Sequence, residues 1–153
     1  MIEKVDEQVA QIKTYIDSDD RKDPNVSKSG TYWHSDHALN VINEVTRFLE
    51  QSNPSDYKPK FSFLKFVIMT FGYMPRGKAR APKQTVRNDE ITQESLNRTY
   101  QKALESIEKL KLLPDNKAFR HPMFGWMQKK DTIKFLKIHT HHHIKILNDI
   151  GKS

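Results

Sequence analysis

The chain contains no cysteine, so disulfide bonds and thiolate metal sites are excluded, and a metal ion would have to be bound by His, Asp or Glu. No glycine-rich loop for phosphate, nucleophilic serine motif or glycosidase-like pair of carboxylates is present. The longest apolar run, 61–74, is interrupted by Lys65 and is shorter than the ~20 residues of a membrane span. The first residues lack the pattern of a secretory signal. These absences predict a soluble, cytoplasmic protein that does not bind membranes.

Positive charge is in excess, with 26 Lys and Arg against 19 Asp and Glu and a net charge of +7. Such a balance permits an anionic substrate or nucleic acid as a partner. The segment 76–87 contains five basic residues and no acid. A solvated loop is the first interpretation of this run. If the segment covers a binding site, Arg76, Lys78 and Arg80 would form an anion-binding loop; on a flat face they would bind nucleic acid without sequence preference.

All seven prolines lie between five stretches with helical periodicity. The first helix is predicted from Ile2 to about Asp17, and the second begins with Ser35 as its N-cap. The run 61–74 is predicted as a buried helix; Thr92 caps the fourth helix, and the fifth covers about 128–150. Period-two alternation is nowhere long enough for a sheet. The chain is therefore predicted to be one all-α domain, 1–153, a four-helix bundle with an additional short helical piece.

The stretch HTHHHIKIL, 139–147, places four of the seven histidines on the fifth helix. Successive helical residues are about 100° apart, so His139 and His143 are separated by only about 40°. They share a face with apolar residues and are predicted to point into the bundle. His142 lies at the edge of that face, and His141 lies with the lysines on the solvent side.

Two imidazoles in a core need partners, because a buried polar group without hydrogen bonds costs about 1–3 kcal/mol. A metal ion would satisfy both, since a spacing of four residues suits two ligands on one helix. A third ligand is predicted on the second helix, where His37 continues inward and His34 lies near or before the cap. Two alternatives remain: histidines that are merely hydrogen-bonded in the core, and a partly solvated surface run.

Three other residues are candidates for supporting roles. Packing in the loop at the end of the bundle is the first interpretation of His121, and lining the site entrance or carrying a proton is the second. Asp36 would orient a ligand by a hydrogen bond or stabilise the helix start. Trp33 is predicted to cap the core rather than to stack on a ligand.

Four stretches resemble the DinB-like superfamily, also called the DinB/YfiT-like putative metalloenzymes. They are WHSDHALNVI on the second helix, MPRGKARAP at 74–82, HPMFG at 121–125 and HTHHHIKIL on the last helix. The last contains an H-x-x-H-H pattern formed by His139, His142 and His143. The resemblance extends from the second helix to the C-terminus, and it is to a subgroup of uncharacterised proteins.

The resemblance implies a four-helix bundle with up-down-down-up connectivity and a divalent metal held by His37, His139 and His143. Zinc and nickel are the first candidates for the ion, and His142, His121 and Asp36 would surround it. The expected reaction is that of a metal-dependent hydrolase or thiol transferase, with a small thiol-bearing or anionic substrate. A homodimer is one expected assembly. The alternative function is a basic helical module, not an enzyme, that binds nucleic acid or another anionic partner.

Overall fold

A computed structural model describes residues 1–77 and 80–152. These residues form five α-helices and one two-stranded antiparallel sheet, so the prediction of a mainly helical protein is confirmed. The elements are α1 (Ile2–Ile16), α2 (Thr31–Gln51), α3 (Phe63–Phe71), α4 (Gln93–Leu112), β1 (Ala118–His121), β2 (Gly125–Gln128) and α5 (Lys129–Gly151). Within the described ranges, no helix is long and apolar enough to cross a membrane.

The first and last helices run in the same direction. Near the middle of α1, the side chain of Gln8 donates a hydrogen bond of 3.1 Å to the carbonyl of Lys137 in α5. Close to the end of both helices, the hydroxyl of Tyr15 donates to the side-chain oxygen of Asn148. Because both contacts advance along the two helices together, α1 and α5 are parallel.

The second and fourth helices form the other parallel pair. Thr99 Oγ1 lies 3.3 Å from Asp36 Oδ1, and one helical stretch further on Ser106 Oγ donates to Asn43 Oδ1 at 2.8 Å. The start of α4 lies against the end of α1, where the Gln93 side chain donates to a backbone carbonyl. The α2–α4 pair therefore runs opposite to the α1–α5 pair.

Apolar side chains from these four helices fill the space between them. Each helix contributes residues at three- and four-residue steps, the spacing that keeps one helical face toward the interior. The fully buried members include Val5, Val9, Ile12, Leu39, Ile42, Leu96, Ile107, Leu136 and Leu147. The apolar faces predicted for the four long helices thus pack together in one core.

The prediction of Ser35 as the start of α2 is wrong, because the helix begins one turn earlier, after Gly30. Asp20 in the preceding loop accepts hydrogen bonds from the backbone of Tyr32 at 3.0 Å and from the hydroxyl of Thr31 at 3.2 Å. The carboxylate thus accepts a hydrogen bond from a backbone N–H of the first helical turn, the role that an N-cap side chain has in other helices. A Cβ at Gly30 would lie 2.6 Å from the same carboxylate oxygen, so glycine permits the close approach.

Helix α3 is present, but the prediction that it is buried is wrong. Ser62 caps its start and Gly72, with φ of 62°, ends it in the left-handed conformation that favours glycine. Ile68 is its one residue classed as buried, whereas Phe63 and Phe71 are 71% and 75% exposed. The apolar run therefore forms a helix whose outer side is open to solvent.

The hairpin of β1 and β2 is also absent from the sequence-based prediction. His121 pairs with Gly125 at the turn, and Ala118 pairs with Gln128 at the open end. Gly125 has a φ of 70°, which allows the chain to reverse within a few residues. Strands of four residues are too short for an alternating pattern to be recognised. The hairpin brings the HPMFG stretch against the start of α5.

Candidate metal centre

Three buried histidines from two helices meet at one point between α2 and α5. His37 projects from α2, and His139 and His143 project from successive turns of α5. Each ring offers one nitrogen atom, and these three nitrogen atoms all lie within 4.8 Å of one another. The ring centroids are 4.7 to 5.2 Å apart. The structure therefore brings together the three residues that the sequence proposed as metal ligands.

The tautomer of His37 is set by the chain segment that precedes α4. Its Nδ1 lies 3.2 Å from the backbone carbonyl of Thr85, and a carbonyl can only accept. Nδ1 therefore carries the proton, and Nε2 keeps its lone pair free to bind a metal ion. Burial lowers the pKa of His37, although the bond to Thr85 and the charge of Asp36 act in the opposite direction.

A second histidine of α2 supports His143. His34 Nδ1 lies 3.0 Å from His143 Nδ1, and His34 Nε2 lies 2.9 Å from the hydroxyl of Ser27. If His143 binds an ion through Nε2, its Nδ1–H donates to His34, and His34 then donates to Ser27. Such hydrogen bonds orient a ligand and increase its basicity. Sequence reasoning missed this role, because the late helix start placed His34 outside the helix.

Replacing His34 with alanine is expected to weaken zinc binding by about 10- to 100-fold, the usual effect of losing a ligand's hydrogen-bond partner. Competition with a chromogenic chelator measures this affinity. His34→Asn is the matched control, because its amide oxygen can accept from His143 Nδ1–H, and it should retain more affinity than the alanine variant. Equal affinities for both variants and the unaltered protein would show that His34 does not support the site.

His139 has a polar atom that the protein itself leaves unsatisfied. Among the described residues its Nδ1 is fully buried and forms no hydrogen bond. Burial, reinforced by the neighbouring rings of His37 and His142, lowers its pKa well below the usual value. His143 is shifted in the same direction for the same reason. All three rings are therefore neutral near pH 7, the form that binds metal ions, and the residues fit a divalent ion.

A cavity of about 220 Å³ opens beside the three histidines. Trp33 forms part of its wall and stacks on His37, with 5.1 Å between ring centroids and 17° between planes. Trp33 thus contacts a proposed metal ligand and the cavity, and its role as a cap of the core stays a prediction. Apolar side chains form most of the remaining wall, namely Val41, Val45, Phe48, Met74, Phe119, Phe124 and Phe135.

His121 also lines the cavity, as its predicted position at the site entrance requires. Its Nδ1 accepts from the backbone N–H groups of Met123 at 3.1 Å and Phe124 at 3.3 Å. The proton of the neutral ring is thus on Nε2. Burial lowers the pKa of His121 to about 4, so the ring donates a hydrogen bond near pH 7 but does not carry an extra proton.

The other two residues expected around the ligands differ in their contacts. His142 is half-buried, lines the cavity and forms a hydrogen bond to the backbone of Met74. Among the described residues, Asp36 neither caps α2 nor bonds to a histidine ring. It is 1% exposed and accepts from Arg87 at 2.8 Å and from Asn40 at 2.8 Å. The prediction that Asp36 orients a ligand is replaced by a buried ion pair that joins α2 to the segment before α4.

The basic segment 76–87 is divided by its contacts rather than uniformly solvated. Arg76 pairs with Asp149 at 2.7 Å, and Arg87 pairs with buried Asp36. Arg80 lines the cavity, as an anion-binding role would require. Lys78 lies outside the described residues. The described part of the segment thus lines one side of the cavity, and two of its guanidinium groups pair with carboxylates.

Comparison with known proteins adds no relative to this description. No family model matches the chain, and comparison with the curated proteins and the solved structures found no match. The site itself consists of three buried, neutral histidines close enough to hold a divalent ion, beside a mainly apolar cavity.

Proposed function

We propose that the protein binds a divalent metal ion through His37, His139 and His143 and uses it in an enzymatic reaction. The observation that carries the proposal is the convergence of three buried ring nitrogens within 4.8 Å. Three imidazoles at such a spacing suit zinc, nickel, copper or iron. Three protein ligands rather than four leave a coordination position for a reactant, the arrangement of catalytic rather than structural zinc sites.

A divalent ion held in this way lowers the pKa of a bound water or thiol and so supplies a nucleophile near pH 7. The protein's own residues prepare the site for that chemistry. Thr85 and His34 fix the orientation of two ligand rings. His121, whose Nε2 carries the proton, lines the cavity, and Arg80 would offer a positive charge to an anionic substrate. The apolar walls exclude water and strengthen these electrostatic interactions.

We further propose that the chain is a DinB-like protein, acting as a hydrolase or thiol transferase on a small molecule. Three features support this proposal. Helices α1 and α5 are parallel to each other, and α2 and α4 are parallel to each other but run opposite to the first pair, as up-down-down-up connectivity requires. The ligands come from the second and last helices. The HPMFG stretch forms the hairpin beside the cavity.

Metal analysis of protein made without a polyhistidine tag tests the proposal. The protein is equilibrated with zinc, nickel, manganese or iron, and bound metal is measured after removal of free ions. We expect about one tightly bound ion per chain for at least one of these metals. If none of the four metals binds with a fixed stoichiometry, or none binds at all, the proposed function is refuted. Hydrolase and thiol-transfer assays with the loaded protein then distinguish the two reaction types.

A further inference from the structure

The outer side of α3 is an apolar surface that nothing in the described chain covers. At about 100° per residue, Phe63, Leu64, Phe66 and Phe71 fall within an arc of about 160°. All four are exposed, whereas Ile68, about 40° outside this arc, is buried. A typical surface helix of a globular protein has its apolar face inside. In α3 the outer side is apolar as well, and this marks it as an interaction surface.

Neighbouring residues enlarge the apolar surface at both ends of the helix. Phe61 is 75% exposed and lies 6.1 Å from Phe66 between ring centroids. Tyr73 is 57% exposed, and the ammonium of Lys145 lies 5.7 Å from its ring centroid. We name the set Phe61, Phe63, Leu64, Phe66, Phe71 and Tyr73 the α3 patch.

The charged residues that flank the α3 patch along the sequence are all basic. Between Asp56 and Asp89 the sequence contains no acidic residue and eight basic ones. Lys58 and Lys60, immediately before the patch, are exposed. Lys65, the one basic residue of α3, bonds to the carbonyl of Trp126 and pairs with Asp131. Cations therefore flank the patch, while its outer face is apolar.

This arrangement identifies the chemistry of the partner. A second copy of the chain would bring the same positive charges to the interface, and like charges oppose such an approach. Nucleic acid requires cations along the contact face to neutralise its phosphates, whereas the outer face of α3 has none. A bilayer with anionic lipids matches both the apolar outer face and the flanking cations. Aromatic and aliphatic side chains enter the boundary between headgroups and acyl chains, and the flanking lysines contact acidic headgroups.

We propose that the α3 patch docks the protein onto a membrane surface rich in anionic phospholipid. The earlier expectation of no membrane partner rested on the absence of a spanning helix and a signal, neither of which a peripheral protein needs. Chain segment 74–77 follows the patch directly, and Met74, Pro75 and Gly77 line the cavity. Docking through α3 therefore places the cavity beside the lipid surface.

Vesicle co-sedimentation tests the proposal. Wild-type protein is mixed with phosphatidylcholine vesicles that contain about a third phosphatidylglycerol, and with pure phosphatidylcholine vesicles. We expect binding to the anionic vesicles that decreases with salt. The triple variant Phe63→Ser/Phe66→Ser/Phe71→Ser should bind about tenfold more weakly or worse, because its apolar contact is lost. Lys58→Gln/Lys60→Gln, which leaves the helix intact, should also weaken binding to the anionic vesicles.

Leu112→Ser is the matched control, since Leu112 is 86% exposed at the end of α4, outside the patch. It should bind vesicles like the wild type. Circular dichroism and the melting temperature establish that each variant is folded. Failure of the wild type to bind anionic vesicles would overturn the proposal. So would a dimer in light scattering that the triple variant dissociates, or preferential binding of single-stranded nucleic acid.

Discussion

Replacing His139 and His143 together with alanine is expected to abolish the stabilisation of the protein by zinc. A ligand that binds only the folded state stabilises it by about 4 kcal/mol when its free concentration is 1,000 times its Kd. Loss of two of the three proposed ligands leaves only His37, and a single imidazole does not hold the ion. Urea unfolding with and without zinc measures the difference in the free energy of unfolding.

His141→Ala is the matched control for this experiment. His141 is on the same helix but is exposed and points away from the centre. Its replacement should leave both the zinc content and the zinc-dependent stabilisation unchanged. If the double variant remains as strongly stabilised by zinc as the wild type, the ion is bound elsewhere, and the assignment of the ligands is wrong.

Acidification of the metal-free protein from pH 7 to pH 5 is expected to destabilise it by about 1–2 kcal/mol for each of His34 and His121. Burial lowers the pKa of both rings to about 4, against a usual value of 6.5. Between these values the unfolded chain binds protons that the folded chain does not. The contribution of these two rings to the free energy of unfolding is therefore fully present above about pH 6.5. It is lost as the pH falls toward 4 and changes little below that value.

Urea unfolding in the presence of a chelator, repeated from pH 7.5 to pH 4, measures this dependence. His121→Asn is the informative variant. The asparagine side chain can accept the backbone N–H two residues further on, as the His121 ring does, but it does not titrate. The variant should lose about 1–2 kcal/mol less than the wild type between pH 7 and pH 5. An identical pH dependence would show that His121 does not titrate with a lowered pKa.

Helical periodicity was sufficient to predict most of the centre, because its ligands lie on long helices. Residues four apart share a face at any position of an α-helix. That rule separated His139 and His143, which are buried, from His141, which is exposed. It also indicated His37 as the inward histidine of α2. The rule needs no knowledge of how the helices are arranged. The expectation that α2 lies beside α5 came from the resemblance to the DinB-like superfamily.

Features that depend on distant partners could not be predicted in this way. His34 lies inside α2 because a carboxylate from Asp20, in the preceding loop, satisfies the start of the helix. Arg87 was assigned to a solvated basic run because its partner, Asp36, is far away in the sequence. A local pattern contains no information on such pairings. The exposure of α3 was missed for a related reason: an apolar composition shows what a helix can contact, but not whether this chain provides the contact.

The separation of the proposed ligands along the chain has a consequence for the order of events during synthesis. His37 belongs to the second helix, whereas His139 and His143 belong to the last. A zinc finger gathers its ligands from neighbouring residues, so the ion can direct its folding from the start. Here the ribosome must make α3, α4 and the hairpin after the first imidazole before the second and third exist. The ion would enter last and act as a check that α5 has docked in the correct register, rather than as a nucleus for folding.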